Sequence, residues 1–291
     1  MEQELKNLLR WSRELEVGKS SPFLHNFINL SVLTGVIAAY TITCILAVKS
    51  SFVLIISPIV FGVIFFTLFI LVVHEGSHLM FLIHKKVRLK RFLNRLFSYP
   101  IAALSFQDFK EDWEHGHIEH HRYPIRGNGR PDPQNCPEFI HDKNGLKKEI
   151  RKIILVFGYA FFKQNSCVSM NKKFLVRRLS LGFLAWFSLL LINIYFFKWW
   201  LIIPQLFSSN VAMILNIIKV SMEHGGDNQT QDNIFLRSKS SVFIGDKFLM
   251  PLNISLHFEH HLNMHVPWYR LPAFYQKTKR SCSNELLSIV H

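Results

Sequence analysis

The stretch "SFVLIISPIVFGVIFFTLFILVVHEGSH", residues 51–78, decides the class of fold. From Ser51 to Val73 it carries no charge. At about 1.5 Å rise per residue, a helix of that length crosses the roughly 30 Å hydrocarbon core of a bilayer. A second uncharged run covers Phe27–Val48, a third lies near Leu181–Phe197, and a fourth follows Trp199 with Ser208, Ser209 and Asn210 in its middle. One such run could be a buried core helix. Four of them in 291 residues, 49% of which are hydrophobic, point to an integral membrane protein.

Charge orients those runs. The net charge is +14, and 20 of the 34 Lys and Arg fall between Leu79 and Ser180. The two short turns between runs hold only Lys49 and Lys198. By the positive-inside rule the long segments face the cytosol and the turns face the opposite side. Charge packed against membrane spans is a poor nucleic-acid footprint, and suits lipid headgroups, a phosphate-bearing substrate or an acidic redox partner. The first 26 residues lack a short apolar stretch with a small-residue cleavage site, so no cleaved signal peptide is expected. Cys44, Cys136, Cys167 and Cys282 are scattered and form no C-x-x-C, which fits free thiols in a reducing compartment.

The expected architecture is therefore an all-α integral membrane protein, one domain over residues 1–291. Four spans, approximately 27–48, 51–73, 180–197 and 199–220, form two hairpins. A cytosolic helical cap, 74–179 and 221–291, carries the site and leaves both termini on the cytosolic side. Within the cap, Phe92–Phe106 and Lys152–Phe162 are apolar but too short to cross, and read as interfacial helices. "RGNGRPDP", 126–133, is a Gly/Pro loop. Two crossings bring the chain back to the cytosol before His74, and two more do so before His224, so every histidine cluster lies on one face.

Those clusters carry the chemistry. His74-Glu75-Gly76-Ser77-His78 fits the zinc-protease pattern H-E-x-x-H, in which the glutamate activates water. It is followed by "WEHGHIEHHRYP" (113–124) and "NISLHFEHHLNMHVP" (253–267). Each contains H-x-x-H-H: His117, His120 and His121, then His257, His260 and His261. Positions i, i+3 and i+4 share a helix face, as chelation from one turn requires. With 15 histidines in the chain, chance yields this pattern about 0.04 times, so two copies are a strong signal. Eight boxed imidazoles exceed one zinc site, which takes three protein ligands and an open position, and suit two metal ions. Imidazole alone does not choose among iron, copper, nickel and zinc. A site at the edge of a bilayer faces long acyl chains, whose unactivated C–H bonds call for activated oxygen, and iron is the usual means.

These three boxes, in this order and after the second and fourth spans, resemble the membrane fatty acid desaturases and related hydroxylases. The resemblance runs from about His74 to Pro272. Trp113 before the second box, Asp132-Pro133 after it, Glu223-His224-Gly225-Gly226 after the last span and "VPWYRLP" (266–272) match family features. It implies a pair of iron ions held by His74, His78, His117, His120, His121, His257, His260 and His261, with His224 joining from its family position. Dioxygen is the implied co-substrate. Electrons would come from a separate carrier, a ferredoxin, cytochrome b5 or similar, since no haem motif is fused to the chain and no bound haem or flavin is expected. The chain departs from the family at Met264, where a proline is common, and at Val220, where some members carry an asparagine.

Glu75, Glu119, Glu223 and Glu259 each adjoin a histidine and are expected to accept hydrogen bonds from imidazoles of other boxes, with His115 and Asp132 as further supporting candidates. His265 is read like His115, as supporting or solvent-facing, and His25, His84, His141 and His291 as surface or interfacial residues. The function implied is an oxygen-dependent acyl (lipid) desaturase, with hydroxylation or ketolation of a lipid or carotenoid as the alternative. An intramembrane zinc protease would need an aspartate ligand in a later span, and the third and fourth runs hold no Asp or Glu. A metal carrier would need a path of ligands through the bilayer, and no histidine lies inside the four runs. The acyl headgroup, the double-bond position and the oligomeric state stay open.

Overall fold

The computed structural model describes residues 1–17, 21–124, 126–127, 130–132, 143–155, 172–225, 228 and 231–291. Asn128, Gly129 and Pro133 of the 126–133 loop, residues 156–162 of the 152–162 stretch, Gly226, His141, Cys136 and Cys167 lie outside the described residues. Regular structure among the described residues is helical apart from a two-residue ladder, in which Arg126 pairs with Pro131 and Gly127 with Arg130.

A short amphipathic helix α1 (Glu2–Ser12) precedes α2 (Pro22–Lys49), the first helix long and apolar enough to cross a membrane. Pro22 suits a first helical turn, where its missing N–H is an orphan anyway. Ser50 ends α2 and caps α3 (Ser51–Ser77), its Oγ accepting from the Val53 amide at 3.4 Å. Inside α3, Pro58 cannot donate to the carbonyl of Leu54. The hydroxyl of Ser57 donates to that carbonyl instead, at 2.8 Å, which matters where no water can. After α6 (Lys143–Leu155), the third and fourth candidate spans are α7 (Lys172–Phe196) and α8 (Ile202–His224), the latter entered through a 3₁₀ turn at Trp199–Leu201. Large apolar side chains such as Phe23, Ile55, Phe187 and Tyr195 point outward, as a lipid-facing belt requires.

These helices run past the apolar limits read from the sequence. The helix of the second run continues through His74 to Ser77, and that of the fourth runs on to His224. Ligand-type side chains therefore sit on the last turns of membrane helices, where a helix can leave the hydrocarbon without breaking its backbone hydrogen bonds. One departure from α geometry recurs: Phe69–His74 is a π-helical segment, and so is Phe109–His115, just ahead of the second box. Each wider turn re-aims the side chains that follow it.

Helices α3 and α8 form the central pair. A Cβ on Gly62 would lie 2.5 Å from the Val211 Cβ, so glycine is what lets the two backbones approach. Helix α2 packs on α3 around Cys44, Ala47, Phe61 and Ile64. Helix α7 meets α8 at the turn end, where Asn193 donates to Gln205 at 2.7 Å. Towards the histidine end α7 leans on α4 (Val87–Leu104) instead, with the Trp186 indole donating to the Leu104 carbonyl at 3.0 Å. A cavity separates α7 and α8 there. Phe65 and Phe69 of α3, Trp186 of α7, Met213 and Asn216 of α8, and Trp113 wall it.

Candidate metal centre

Four elements deliver the nine histidines. His74 and His78 come from the last turns of α3 and its end. His117, His120 and His121 lie on α5, the π segment Phe109–His115 continued by Gly116–Arg122. His224 ends α8, while His257, His260 and His261 lie on a two-turn helix, His257–Leu262. The π segment of α5 is held from both sides. Asp108 caps it by accepting from the Glu111 amide at 3.0 Å, and Arg177 and Arg178 of α7 pair with Asp108 and Asp112.

The structure brings all nine together at one end of the helix bundle, sorted into two groups. One holds His74, His78, His117, His121 and His260; the other holds His120, His224, His257 and His261. Within each group the ligand-type atoms lie within 4.8 Å of one another. His121 is partly buried and the other eight are buried.

Nitrogen positions test whether the residues fit metal ions. The Nε2 atoms of His117 and His78 lie 3.1 Å apart, those of His121 and His117 3.2 Å, and those of His257 and His224 3.0 Å. Each close pair falls inside one group. With metal–nitrogen bonds of about 2.0–2.1 Å, neighbouring ligands of one ion stand roughly 3 Å apart. The Nε2 atoms of His74, His260 and His261 are buried and find no hydrogen-bond partner. Orphaned buried nitrogens are costly unless a ligand claims them. The donor set fits two ions.

Electrostatics agree. Burial, then neighbouring His265 and His120, pulls the His78 imidazole down to about 3. His121, His257, His260 and His261 are held well below the usual histidine range, first by burial and then by their neighbours. All are neutral near pH 7, with lone pairs free to coordinate. Four carboxylates are buried close by: Glu75, Asp132, Glu223 and Glu259.

These carboxylates and one carbonyl also orient rings. Asp132 Oδ2 lies 2.7 Å from His120 Nδ1, and the Arg237 carbonyl 3.0 Å from His224 Nδ1, so each ring presents Nε2 inward. Glu75 Oε1 is 3.3 Å from the Nδ1 of His74, a ring of its own box and not of another. Glu223 Oε1 approaches His257 Nδ1 to 3.3 Å without hydrogen-bond alignment, and neither buried atom has a hydrogen-bond partner. With the ring neutral, this is a close polar contact and not an ion pair. Glu259 accepts from the Ser240 hydroxyl and faces His291 Nε2 at 3.0 Å.

Several expectations are corrected. Glu119 lies between the ligand positions of α5 and faces outward, pairing with Arg122 at 2.9 Å. His115 is exposed beside Glu111, at 3.3 Å, and supports no ring. His25 is fully buried, not superficial, whereas His291 is a surface residue as expected, with its ring turned toward Glu259. His265 is exposed, in line with a solvent-facing position. Sequence reasoning missed Lys219, buried on α8 and bonded to Glu223 at 2.7 Å; its i, i+4 spacing to that glutamate was the available signal. It also missed Gln107, which accepts from the Trp113 indole at 2.7 Å. That bond sets the Trp113 ring 5.0 Å from the His117 ring and 4.9 Å from Phe69, so the cavity ends against the first histidine group.

The family model described as fatty acid desaturase matches residues 50–291, everything after the first membrane helix. No curated protein and no solved structure matches the chain.

Proposed function

The chain belongs to the fatty acid desaturase family, and from that premise we propose that it is an oxygen-dependent di-iron enzyme that places a double bond in an acyl chain. The observation that carries this reading is the pair of buried, all-imidazole groups at the inner end of an aromatic-walled cavity. His74, His78, His117, His121 and His260 would hold one iron, and His120, His224, His257 and His261 the other. Bound iron would supply the activation of dioxygen that attack on an unactivated methylene requires.

The remaining work falls to side chains of this protein. Phe65, Phe69 and Trp186 give the cavity its apolar wall, which would hold a hydrocarbon chain and exclude water. Trp113, tied down by Gln107, separates that wall from His74 and His117 and would set which methylenes come nearest the histidines. Asp132 and the Arg237 carbonyl keep their histidines in the ligand tautomer.

Atom balance gives the partners. A saturated chain, dioxygen, two electrons and two protons yield an olefin and two waters, so two electrons must enter from outside. A separate carrier such as a ferredoxin or a cytochrome b5 is the proposed source. The charge asymmetry favours a cytosolic placement of the histidine end and both termini.

Expression in a host of known lipid composition, followed by fatty acid profiling, tests the reaction. A new double bond that disappears in the His120→Ala chain is expected. A new hydroxyl without any olefin would refute desaturation and leave the hydroxylase reading.

A further inference from the structure

The first box is followed by an irregular, buried strand of backbone. His78 ends its helix, Leu79 reverses the chain with φ 58, and Met80–Ile83 are all less than a tenth exposed. Leu79 N donates to Gly76 O at 3.0 Å and Met80 N to Glu75 O at 2.8 Å, the paired bonds of a Schellman turn. That turn normally takes glycine at the left-handed position; a leucine there is strained and persists only if its surroundings over-determine it. The metal-ligand position His78 thus sits on a strained turn.

What holds the turn is side chains from elsewhere. After the Met80 amide, seven backbone polar groups remain in Met80–Ile83, and every one is matched. His25 Nε2 lies 2.6 Å from the Met80 carbonyl, and Asn29 Nδ2 reaches the Met80 and Phe81 carbonyls at 3.2 and 2.8 Å. Asn94 accepts from the Phe81 and Leu82 amides at 3.1 and 3.2 Å and donates to the Leu82 carbonyl at 2.6 Å. Asn26 makes both bonds to Ile83, at 2.9 and 3.0 Å. Unmatched, these groups would be buried without water.

This network also reaches the tail of the third box. With Nε2–H given to Met80, His25 Nδ1 accepts from the Tyr269 hydroxyl at 3.0 Å, and the Trp268 indole donates to Asn29 Oδ1 at 2.9 Å. Three of the four cradle residues lie on α2, ahead of the segment that matches the family.

We propose that His25, Asn26, Asn29 and Asn94 form a positioning cradle that fixes Met80–Ile83, and through it the turn presenting His78 to the first metal group. They touch no histidine of either group; they act through the loop. The proposal rests on the two-metal reading of the site.

Cobalt(II) titration of the purified, full-length chain in its metal-free form tests it, because cobalt reports each site by affinity and by electronic spectrum. Asn29→Ala and Asn94→Ala are compared with Asn193→Ala and Gln205→Ala, which break a buried network of the same kind at the opposite end of the spans. The cradle variants are expected to bind one of two cobalt ions about 10–100-fold more weakly, with that site's spectrum altered and the other unchanged. The distant variants, at equal loss of thermal stability, are expected to keep both. If Asn29→Ala does not accumulate, Tyr269→Phe, which removes only the hydroxyl facing His25, carries the test at a few-fold loss. Unchanged affinity and spectrum in the cradle variants would overturn the proposal, as would an equal loss in the distant ones. Fewer than two cobalt ions in the wild-type chain would instead overturn the two-metal reading, and with it what the cradle positions.

Discussion

Replacing Asp132 isolates the support of a single imidazole. Its carboxylate is fully buried and lies 2.7 Å from His120 Nδ1, so the bond is short and charge-assisted. A hydrogen bond to a charged group contributes about 1.5–3 kcal/mol, a factor of roughly 10–150 in an equilibrium constant. Measured losses on removing such supports of metal-bound histidines run about 10–100-fold, so two independent arguments meet in one range. Asp132→Asn keeps the volume and leaves an amide that can accept from Nδ1–H, or flip and donate, which would turn the Nε2 proton toward the metal. Asp132→Ala leaves Nδ1 without this partner. We expect affinity at the second group to fall about tenfold for asparagine and towards a hundredfold for alanine. Competition titration against a chelator of known affinity, on full-length protein, reads this directly. Wild-type affinity at both sites in both variants would refute the reasoning that Asp132 holds His120 in its ligand form.

Three further expectations follow from the same geometry. His120→Ala should abolish turnover while the protein remains in the membrane fraction, since His120 lies outside the four candidate spans; full turnover would refute its role as a ligand. Gly76→Ala would set a Cβ 2.3 Å from Ser98 Oγ, which itself bonds the Val72 carbonyl at 2.7 Å, so box one must shift. A loss of about 1–3 kcal/mol in stability is expected, read by thermal unfolding, and an unshifted midpoint would contradict the packing. Acid should unfold the metal-free chain, because His78 is depressed from about 6.5 in the unfolded state to about 3 when folded. Its contribution is fully present above about pH 6.5 and is lost as pH falls towards 3, at about 1.4 kcal/mol per pH unit. Stability flat across that window would remove the case for neutral, buried imidazoles.

Much of this arrangement is written locally. Uncharged runs announce the membrane helices, because a lipid environment rejects charge residue by residue. The H-x-x-H-H spacing announces the boxes, because ligands on one helix face must recur at three and four. What escaped has a physical reason in each case. The π segments Phe69–His74 and Phe109–His115 leave no residue-type signature, so the true register of His74 and His117 was invisible. Glu119 and Glu259 look alike beside their histidines, yet one turns to solvent and the other is buried against Ser240. Tertiary packing decides that. His25, Asn26 and Asn29 act on Met80, Phe81 and Ile83 across more than fifty residues of sequence, a distance over which no periodicity operates.

Metal analysis of the purified full-length chain tests the central claim most directly. Elemental quantitation against protein concentration should give two iron atoms per chain, falling when any of the nine histidines is replaced. A single tightly held zinc, with no second ion, would contradict the two-group site.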